Sequence, residues 1–310
     1  MNKPLFIMLV GIAGSGKSTY AKTRCENEDN CIILSSDGIR EELYGDESIQ
    51  RNHNKVFQLM EERARAAAKN GQSVIYDATN LNARRRAHMV RIMAGLGCKC
   101  ECVICLSTFE VCCERQLMRQ RQVPIDVIMR QYTSFEVPTE MEGWDNIILY
   151  HSPNGGTENL VGALKRSDIP HDSHYHTLTI MGHMEKAAEI LEKKFDLEVF
   201  TKEERDTLKR AVLFHDIGKP FTKSFLDNKG NISREAHYYG HENVSAWMIL
   251  CAENPIFSEK ETLKCAQLVG LHMRMYNEVW HKRLFEFYAN TDLNFWRALE
   301  YLHYCDEAAH

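Results

Sequence analysis

Residues Gly11-Ile12-Ala13-Gly14-Ser15-Gly16-Lys17-Ser18 fit the pattern G-x-x-x-x-G-K-[ST]. Before them Leu5–Val10, LFIMLV, reads as a short buried strand. After them Ser18–Arg24 reads as the opening of a helix. A strand, a glycine-rich loop and a helix in that order aim successive backbone N–H groups and a helix N-terminus at the β- and γ-phosphates of a nucleotide. Lys17 adds positive charge there, and the Ser18 hydroxyl can ligate Mg²⁺. Gly11, Gly14, Ser15, Gly16, Lys17, Ser18 and Thr19 are therefore the expected contacts for ATP or another NTP.

Working outward, the next strand candidates are Cys31–Leu34, Ser73–Tyr76, Glu101–Leu106 and Ile147–Tyr150, with helical patterns such as Val56–Lys69 between them. Alternating β and α predicts an α/β domain, a parallel sheet with flanking helices, over residues 1–152. Residues 153–170 are rich in Pro, Gly, Ser and Asn and read as a linker. Residues 171–310 carry long helical patterns and almost no strand signal, so an all-α domain is expected there. A length of 310 residues accommodates two domains.

The apolar fraction of 44% and the charged fraction of 26% exclude a disordered or fibrous chain. No apolar run is long enough to span a membrane. The net charge of -5 argues against coating long nucleic-acid tracts but leaves room for a local basic pocket at a strand end. Eleven cysteines without a secretion signal point to a reducing, cytoplasmic compartment. Cys98, Cys100, Cys102 and Cys105 read CKCECVIC. Their alternation suits one face of a strand better than the C-x₂₋₄-C turns of a zinc site.

Three features of the first half address the phosphate acceptor. Asp37, in Ser36-Asp37-Gly38-Ile39-Arg40, sits where ligands of such sheets bind. It could accept the proton of an attacking hydroxyl, with Arg40 holding an anionic acceptor; the plain alternative is a helix N-cap. Asp77, in Tyr76-Asp77-Ala78-Thr79-Asn80-Leu81-Asn82, is placed like an acid that supports Mg²⁺ or the acceptor. The Arg84-Arg85-Arg86 run that follows reads equally well as a solvated helix start. Arg115, Arg119 and Arg121 precede Val123-Pro124-Ile125-Asp126. Arg115 and Arg119 would share one helical face and could close over the phosphates as a lid.

Together these strings resemble the 5′-hydroxyl polynucleotide kinase domain of phage-type end-healing enzymes, over roughly residues 3–150. The VPIDV and D-x-TNLN elements are more specific than the phosphate loop. The resemblance implies Asp37 as general base, Arg40 on the acceptor's adjacent phosphate and Arg119 as the lid arginine, with Arg121 as its competitor.

In the second half, polar residues lie on apolar helix faces. His183 is in line with Ala187 and Ile190, and His215 continues the stripe of Leu208, Ala211 and Val212. His272 extends Cys265, Leu268 and Val269; Asp306 follows Leu299 and Leu302. His241 follows Gly240 at a helix start. A lone histidine on such a face is usually a satisfied core residue. Several imidazoles with the buried carboxylates Asp216 and Asp306 are best reconciled by a cation. Nitrogen plus oxygen donors suit Mn, Fe, Co, Ni or Zn.

This order resembles the HD phosphohydrolase superfamily over roughly residues 171–310. The resemblance implies His183, His215, Asp216 and Asp306 as primary ligands, and His241 and His272 at a second metal or the scissile phosphate. It also implies Lys219 as a phosphate-binding or activating residue. His174 and His176 read as substrate contacts or as polar loop residues.

A kinase followed by an HD domain looks like the fused kinase–HD healing proteins. The expected function is phosphorylation of 5′-OH ends with NTP and Mg²⁺, and hydrolysis of 2′,3′-cyclic, 2′- or 3′-phosphate ends with one or two divalent metals. The expected partners are RNA or DNA ends, single-stranded or nicked, and a separate RNA ligase. Two other readings stand beside it. One is a small-molecule or nucleoside kinase fused to an HD nucleotidase or phosphodiesterase. The other is a nucleotide-switched binding module with an HD scaffold.

Overall fold

The structure is a computed structural model that describes residues 3–28, 30–47, 49, 51–173, 177–252 and 257–309. By internal contact the chain forms two compact units, Met1–Gln131 with Pro138–Gly156, and Tyr132–Val137 with Thr157–His310.

In the first unit five strands form an all-parallel sheet: β1 (Leu5–Val10), β2 (Cys31–Ser35), β3 (Ser73–Asp77), β4 (Lys99–Leu106) and β5 (Asn146–His151), in the order β2-β3-β1-β4-β5. Phe6 to Val10 are all buried, as a central parallel strand covered on both faces requires. Helices α1 (Lys17–Glu26), α2 (Ser36–Tyr44), α3 (His53–Lys69), α4 (Ala83–Gly95), α5 (Phe109–Leu117) and α6 (Ile125–Thr133) connect and flank the strands. Leu9 and Ser35 both register with Asp77, so the ends of β1, β2 and β3 lie level at the carboxyl edge of the sheet. The loop after β1, the first turn of α2 and the end of β3 therefore meet there.

Cys98, Cys100, Cys102 and Cys105 are buried on or beside β4, and no candidate metal group among the described residues includes them. They are core residues. The basic run after β3 divides in two. Arg86 is fully buried and holds Glu142 through Nε and Nη2, both at 2.7 Å, while Arg84 and Arg85 stay exposed.

The second unit is mainly helical: α7 (Leu160–Arg166), α8 (Ile180–Lys194), α9 (Lys202–Phe214), the short α10 (Lys219–Thr222), α11 (His241–Cys251), α12 (Glu259–Leu271), α13 (Glu278–Thr291) and α14 (Leu293–Ala308). α9 packs against α8, α12 and α14. A two-stranded antiparallel hairpin, β6 (Ser224–Leu226) and β7 (Ile232–His237), departs from the all-α expectation. Asp227 closes its turn by accepting from the Lys229 and Asn231 amides, each at 2.8 Å. The ISREAH of β7 alternates too weakly to announce a strand. Residues 153–170, expected as a linker, include α7, capped by Asn159. Its Leu160 and Ala163 are buried.

The six residues 132–137 belong to the core of the second unit. Phe135 meets Trp247 edge-on at 4.8 Å, and Asn243 donates to the Thr133 carbonyl at 2.7 Å. Gly240 adopts φ 78° against that same carbonyl, where a Cβ would come within 2.4 Å.

Candidate active sites

At the carboxyl edge of the first unit, Gly14 and Gly16 adopt φ 88° and 98°. A Cβ on Gly16 would lie 2.5 Å from Ser152 Oγ. Only glycine lets the loop take this path into α1. The Lys17 ammonium is buried and donates to the Ile12 carbonyl at 2.8 Å. Burial pulls its pKa below the usual lysine range, against the opposing pull of Asp77. Ser18 donates to Asp77 Oδ2 at 2.8 Å, so the hydroxyl and carboxylate expected around Mg²⁺ are already together. The Ser15 hydroxyl is buried and makes no hydrogen bond, as fits a loop shaped around phosphate oxygens. Gly11 donates to the Thr79 carbonyl at 3.1 Å, and Thr19, the third residue of α1, is exposed.

Asp37 is not the N-cap of α2; Ser35 holds that position, accepting from the Gly38 amide at 3.4 Å. The Asp37 carboxylate is instead half-exposed and pairs with Arg40 Nη1 at 2.8 Å. Arg40 is buried, and its Nε has no partner.

The arginine helix departs from expectation. α5 stops at Leu117, and the Gln116 side chain accepts from the Val123 amide at 3.3 Å. Arg115 and Arg119 therefore do not share a helical face. Arg119 is exposed past the helix end. Arg121 is the arginine that reaches the site, with Nη1 4.0 Å from Asp37 Oδ2 and 2.9 Å from Glu47 Oε1. Arg115 donates to the Gly14 carbonyl at 3.0 Å, to the Ser107 and Ser152 hydroxyls, and to the Pro153 carbonyl at 2.8 Å. It buttresses the phosphate loop, and these bonds occupy the guanidinium expected to bind the nucleotide.

In the second unit His183, His215, Asp216 and Asp306 each offer one donor atom within 4.8 Å of the others, and all are buried. Asp216, His241 and His272 form a second such group, so Asp216 is shared. The helices bring them together: His183 from α8, His215 and Asp216 at the end of α9, His241 at the start of α11, His272 after α12 and Asp306 on α14. Nδ1 of His215, His241 and His272 bonds the carbonyl three residues back, Val212, Tyr238 and Val269, at 2.8, 2.8 and 2.6 Å. Each ring thereby donates through Nδ1 and turns the Nε2 lone pair inward. Nε2 of all three rings is buried without an assigned hydrogen bond, and the Asp216 oxygens are buried with only Lys219 and imidazole nitrogens beside them. His183 Nε2 lies 2.9 Å from Asp306 Oδ1, and His241 Nε2 3.1 Å from Asp216 Oδ1. Buried nitrogen and oxygen donors converging in this way fit a divalent ion or two, with Asp216 a member of both groups.

The two buried carboxylates make this a centre that favours positive charge. Burial alone would raise the Asp216 pKa, but Lys219 and His215 hold it well below the carboxylate range. Asp306 is likewise held low, burial being outweighed by His215 and His183. Burial would lower His215, yet the two carboxylates raise it to about 10. Burial and His215 together push His272 down to about 3.

Lys219 was expected at this centre; three neighbours, His171, Tyr238 and Tyr276, were not. Lys219 Nζ lies 2.6 Å from Asp216 Oδ2, 3.5 Å from His171 Nε2 and 5.5 Å above the Tyr238 ring. Tyr276 donates to Asp306 Oδ2 at 2.8 Å. His171 lies in the HDSHYH run, whose later members His174 and His176 fall outside the described residues. No local signal separated the first histidine from the others.

Comparison with known proteins finds two families along the chain. Residues 6–138 match the AAA domain family and residues 173–290 the HD domain family. The L-seryl-tRNA(Sec) kinase of Methanococcus maripaludis is 28% identical over 152 residues, 46% of this chain and 56% of that protein. The chain thus spans just over half the length of this curated relative. Among solved structures, a chain of the Pnkp1/Rnl/Hen1 RNA repair complex is 25% identical, with 44% of this chain and 45% of that one covered and a TM-score of 0.40. A gluconokinase from Sinorhizobium meliloti 1021 is 18% identical, with 50% and 87% covered and a TM-score of 0.35. No helix among the described residues is long and apolar enough to cross a membrane.

Proposed function

We propose that this chain, which carries an AAA domain followed by an HD domain, is a bifunctional RNA end-healing enzyme. The first unit transfers the γ-phosphate of ATP or another NTP to a 5′-hydroxyl end. The second hydrolyses 2′,3′-cyclic, 2′- or 3′-phosphate at the other end.

The observation that carries the reading is the Asp37–Arg40 pair beside the phosphate loop, 2.8 Å apart. A carboxylate base next to a buried guanidinium suits a hydroxyl that has an anion as its neighbour. The 5′-OH of a nucleotide that continues into a 3′-phosphodiester is such a group. Asp37 takes the hydroxyl proton, Arg40 holds the adjacent phosphate, and Lys17 and the loop amides bear the charge developing on the transferred phosphoryl group. Mg²⁺ held by Ser18, with Asp77 behind it, would screen the nucleotide phosphates. The curated relative is by name a kinase of L-seryl-tRNA(Sec), which supports an RNA-borne hydroxyl as acceptor.

In the second unit His183, His215, Asp216 and Asp306 would hold one divalent ion, and Asp216, His241 and His272 a second. Such ions supply Lewis acidity for attack of water on phosphorus. Lys219 carries the fixed positive charge that draws a terminal phosphate to the centre, and the carbonyl-anchored imidazoles keep their lone pairs aimed inward before any ligand arrives.

The test is one RNA oligonucleotide with a 5′-OH and a 2′,3′-cyclic phosphate, incubated with labelled ATP, Mg²⁺ and a panel of transition metals. Both ends should change. Lys17→Ala or Asp37→Ala should abolish 5′ labelling and spare the other end, and His215→Ala or Asp216→Ala should do the reverse. Loss of both activities in a folded single variant would sink the two-site reading. ATP hydrolysis with neither end altered would instead favour a small-molecule acceptor.

A further inference from the structure

In the first unit a cleft of about 1090 Å³ opens between α3 and α4 beside the loop that follows β3. It exceeds the common range for a small-ligand pocket, roughly 300–1,000 Å³. One wall is continuous with the phosphate-transfer machinery: Thr79 lines the cleft and accepts from Gly11 of the phosphate loop at 3.1 Å. Its neighbour Asn80 also lines it and donates to the end of β1 at the Leu9 carbonyl, 2.7 Å away.

The charges on the rim are not equivalent. Glu61 is engaged by Arg65 at 2.7 Å and His88 at 3.2 Å; Glu62 accepts from the neutral Gln58 amide at 2.9 Å and keeps its charge on the rim. Arg84 and Arg85 line the same cleft, are exposed and have no carboxylate partner among the described residues. Arg86 of the same run is spent on Glu142 inside the core. The Arg85 guanidinium lies over the Phe57 ring, 5.7 Å from its centroid, so the two side chains form one stacked platform in the cleft. Two arginines with no carboxylate partner among the described residues, beside an aromatic ring in a cleft larger than one nucleoside needs, match the chemistry of single-stranded nucleic acid.

We infer that this cleft is a polynucleotide subsite: it takes the strand just downstream of the 5′-hydroxyl, with a backbone phosphate on Arg84 and a base stacked at the Arg85–Phe57 platform. The inference rests on the reading of the first unit as a 5′-hydroxyl kinase and adds a substrate preference to it. Oligonucleotides are preferred over mononucleotides, and the preference is salt-dependent because it arises from backbone charge.

The experiment measures kcat/KM for 5′ phosphorylation of a nucleoside 3′-monophosphate and of 5′-OH RNAs of two and ten nucleotides, at two salt concentrations. The wild-type chain, Phe57→Ala and the double variant Arg84→Ala/Arg85→Ala are compared. The wild type should favour the ten-mer over the mononucleotide by about tenfold or more. In Phe57→Ala that ratio should fall several-fold, and in the arginine variant the salt dependence on the ten-mer should flatten as well. Equal kcat/KM across lengths, or variants with the wild-type ratio and salt slope, overturns the subsite while leaving the kinase reading intact. Failure to phosphorylate any 5′-hydroxyl substrate overturns the kinase reading and the subsite with it.

Discussion

His171 presents Nε2 to the Lys219 ammonium at 3.5 Å, while its Nδ1 bonds the Leu178 carbonyl at 3.0 Å. With Nδ1 donating, Nε2 is an acceptor, and burial beside Lys219 pushes the ring pKa down to about 4. The tyrosine beneath Lys219 is tied to the same segment, since Tyr238 Oη donates to the His171 carbonyl. Lys219 is thus held between the shared carboxylate of Asp216 and a neutral imidazole. His171 is a positioning residue for it.

Replacing His171 by Leu should lower phosphate-end hydrolysis by about 10- to 100-fold, the usual cost of losing such a support. The loss should vanish in a Lys219→Met background, because both changes remove one function. Metal content by mass spectrometry should stay at the wild-type level. Additive losses, or a parallel loss of metal, would show that His171 acts by another route.

Arg121, not Arg119, is the arginine beside Asp37. Arg121→Ala should reduce kcat for 5′ phosphorylation by about 10²–10³, the range for removing one donor that stabilises transition-state charge. Arg119→Ala should stay within a few-fold of wild type. The reverse ranking in a steady-state assay would mean that the 118–124 turn rearranges when nucleotide binds.

Burial raises the thiols of Cys100, Cys105 and Cys112 to about 12. An unfolded cysteine titrates near 8.5. Above that pH the unfolded chain releases protons that the folded chain keeps, so the unfolded state gains and stability declines as pH rises from about 8.5 towards 12. Urea midpoints should be level between pH 7 and 8 and fall by pH 10. Cys100→Ala should make that fall shallower, whatever its effect at neutral pH. An unchanged slope in the variant would assign the alkaline loss to other groups.

Phe135 and Trp247 are both fully buried in the second unit, although Phe135 lies in sequence between two segments of the first. Phe135→Ala should destabilise the second unit by about 3–5 kcal/mol, as a large core truncation does. Tryptophan emission should shift to the red at lower denaturant, and metal loading should fall with it. ATP-dependent labelling of 5′ ends should persist to higher denaturant than phosphate-end hydrolysis. Simultaneous loss of both would assign residues 132–137 to the first unit.

Much of both sites was legible in the sequence, because the interactions behind them are local. The apolar run of β1, the glycines at Gly14 and Gly16 and the helix after them specify a phosphate loop within about fifteen residues. Helical periodicity alone put His183, His215, His272 and Asp306 on apolar faces, where only a shared purpose reconciles them with burial. What escaped depends on contacts between residues far apart in the chain. The choice between Arg119 and Arg121 shows only in which of them reaches Asp37, 84 residues before Arg121. The division of Arg84-Arg85-Arg86 between core and surface is set by Glu142, 56 residues beyond Arg86. The capture of residues 132–137 by the second unit rests on Trp247 and Asn243, and the role of His171 on Lys219, 48 residues away. Backbone conformation and amphipathic faces follow from neighbours within a helical turn. The partner of a given side chain follows from packing of the whole chain, which no window of sequence contains.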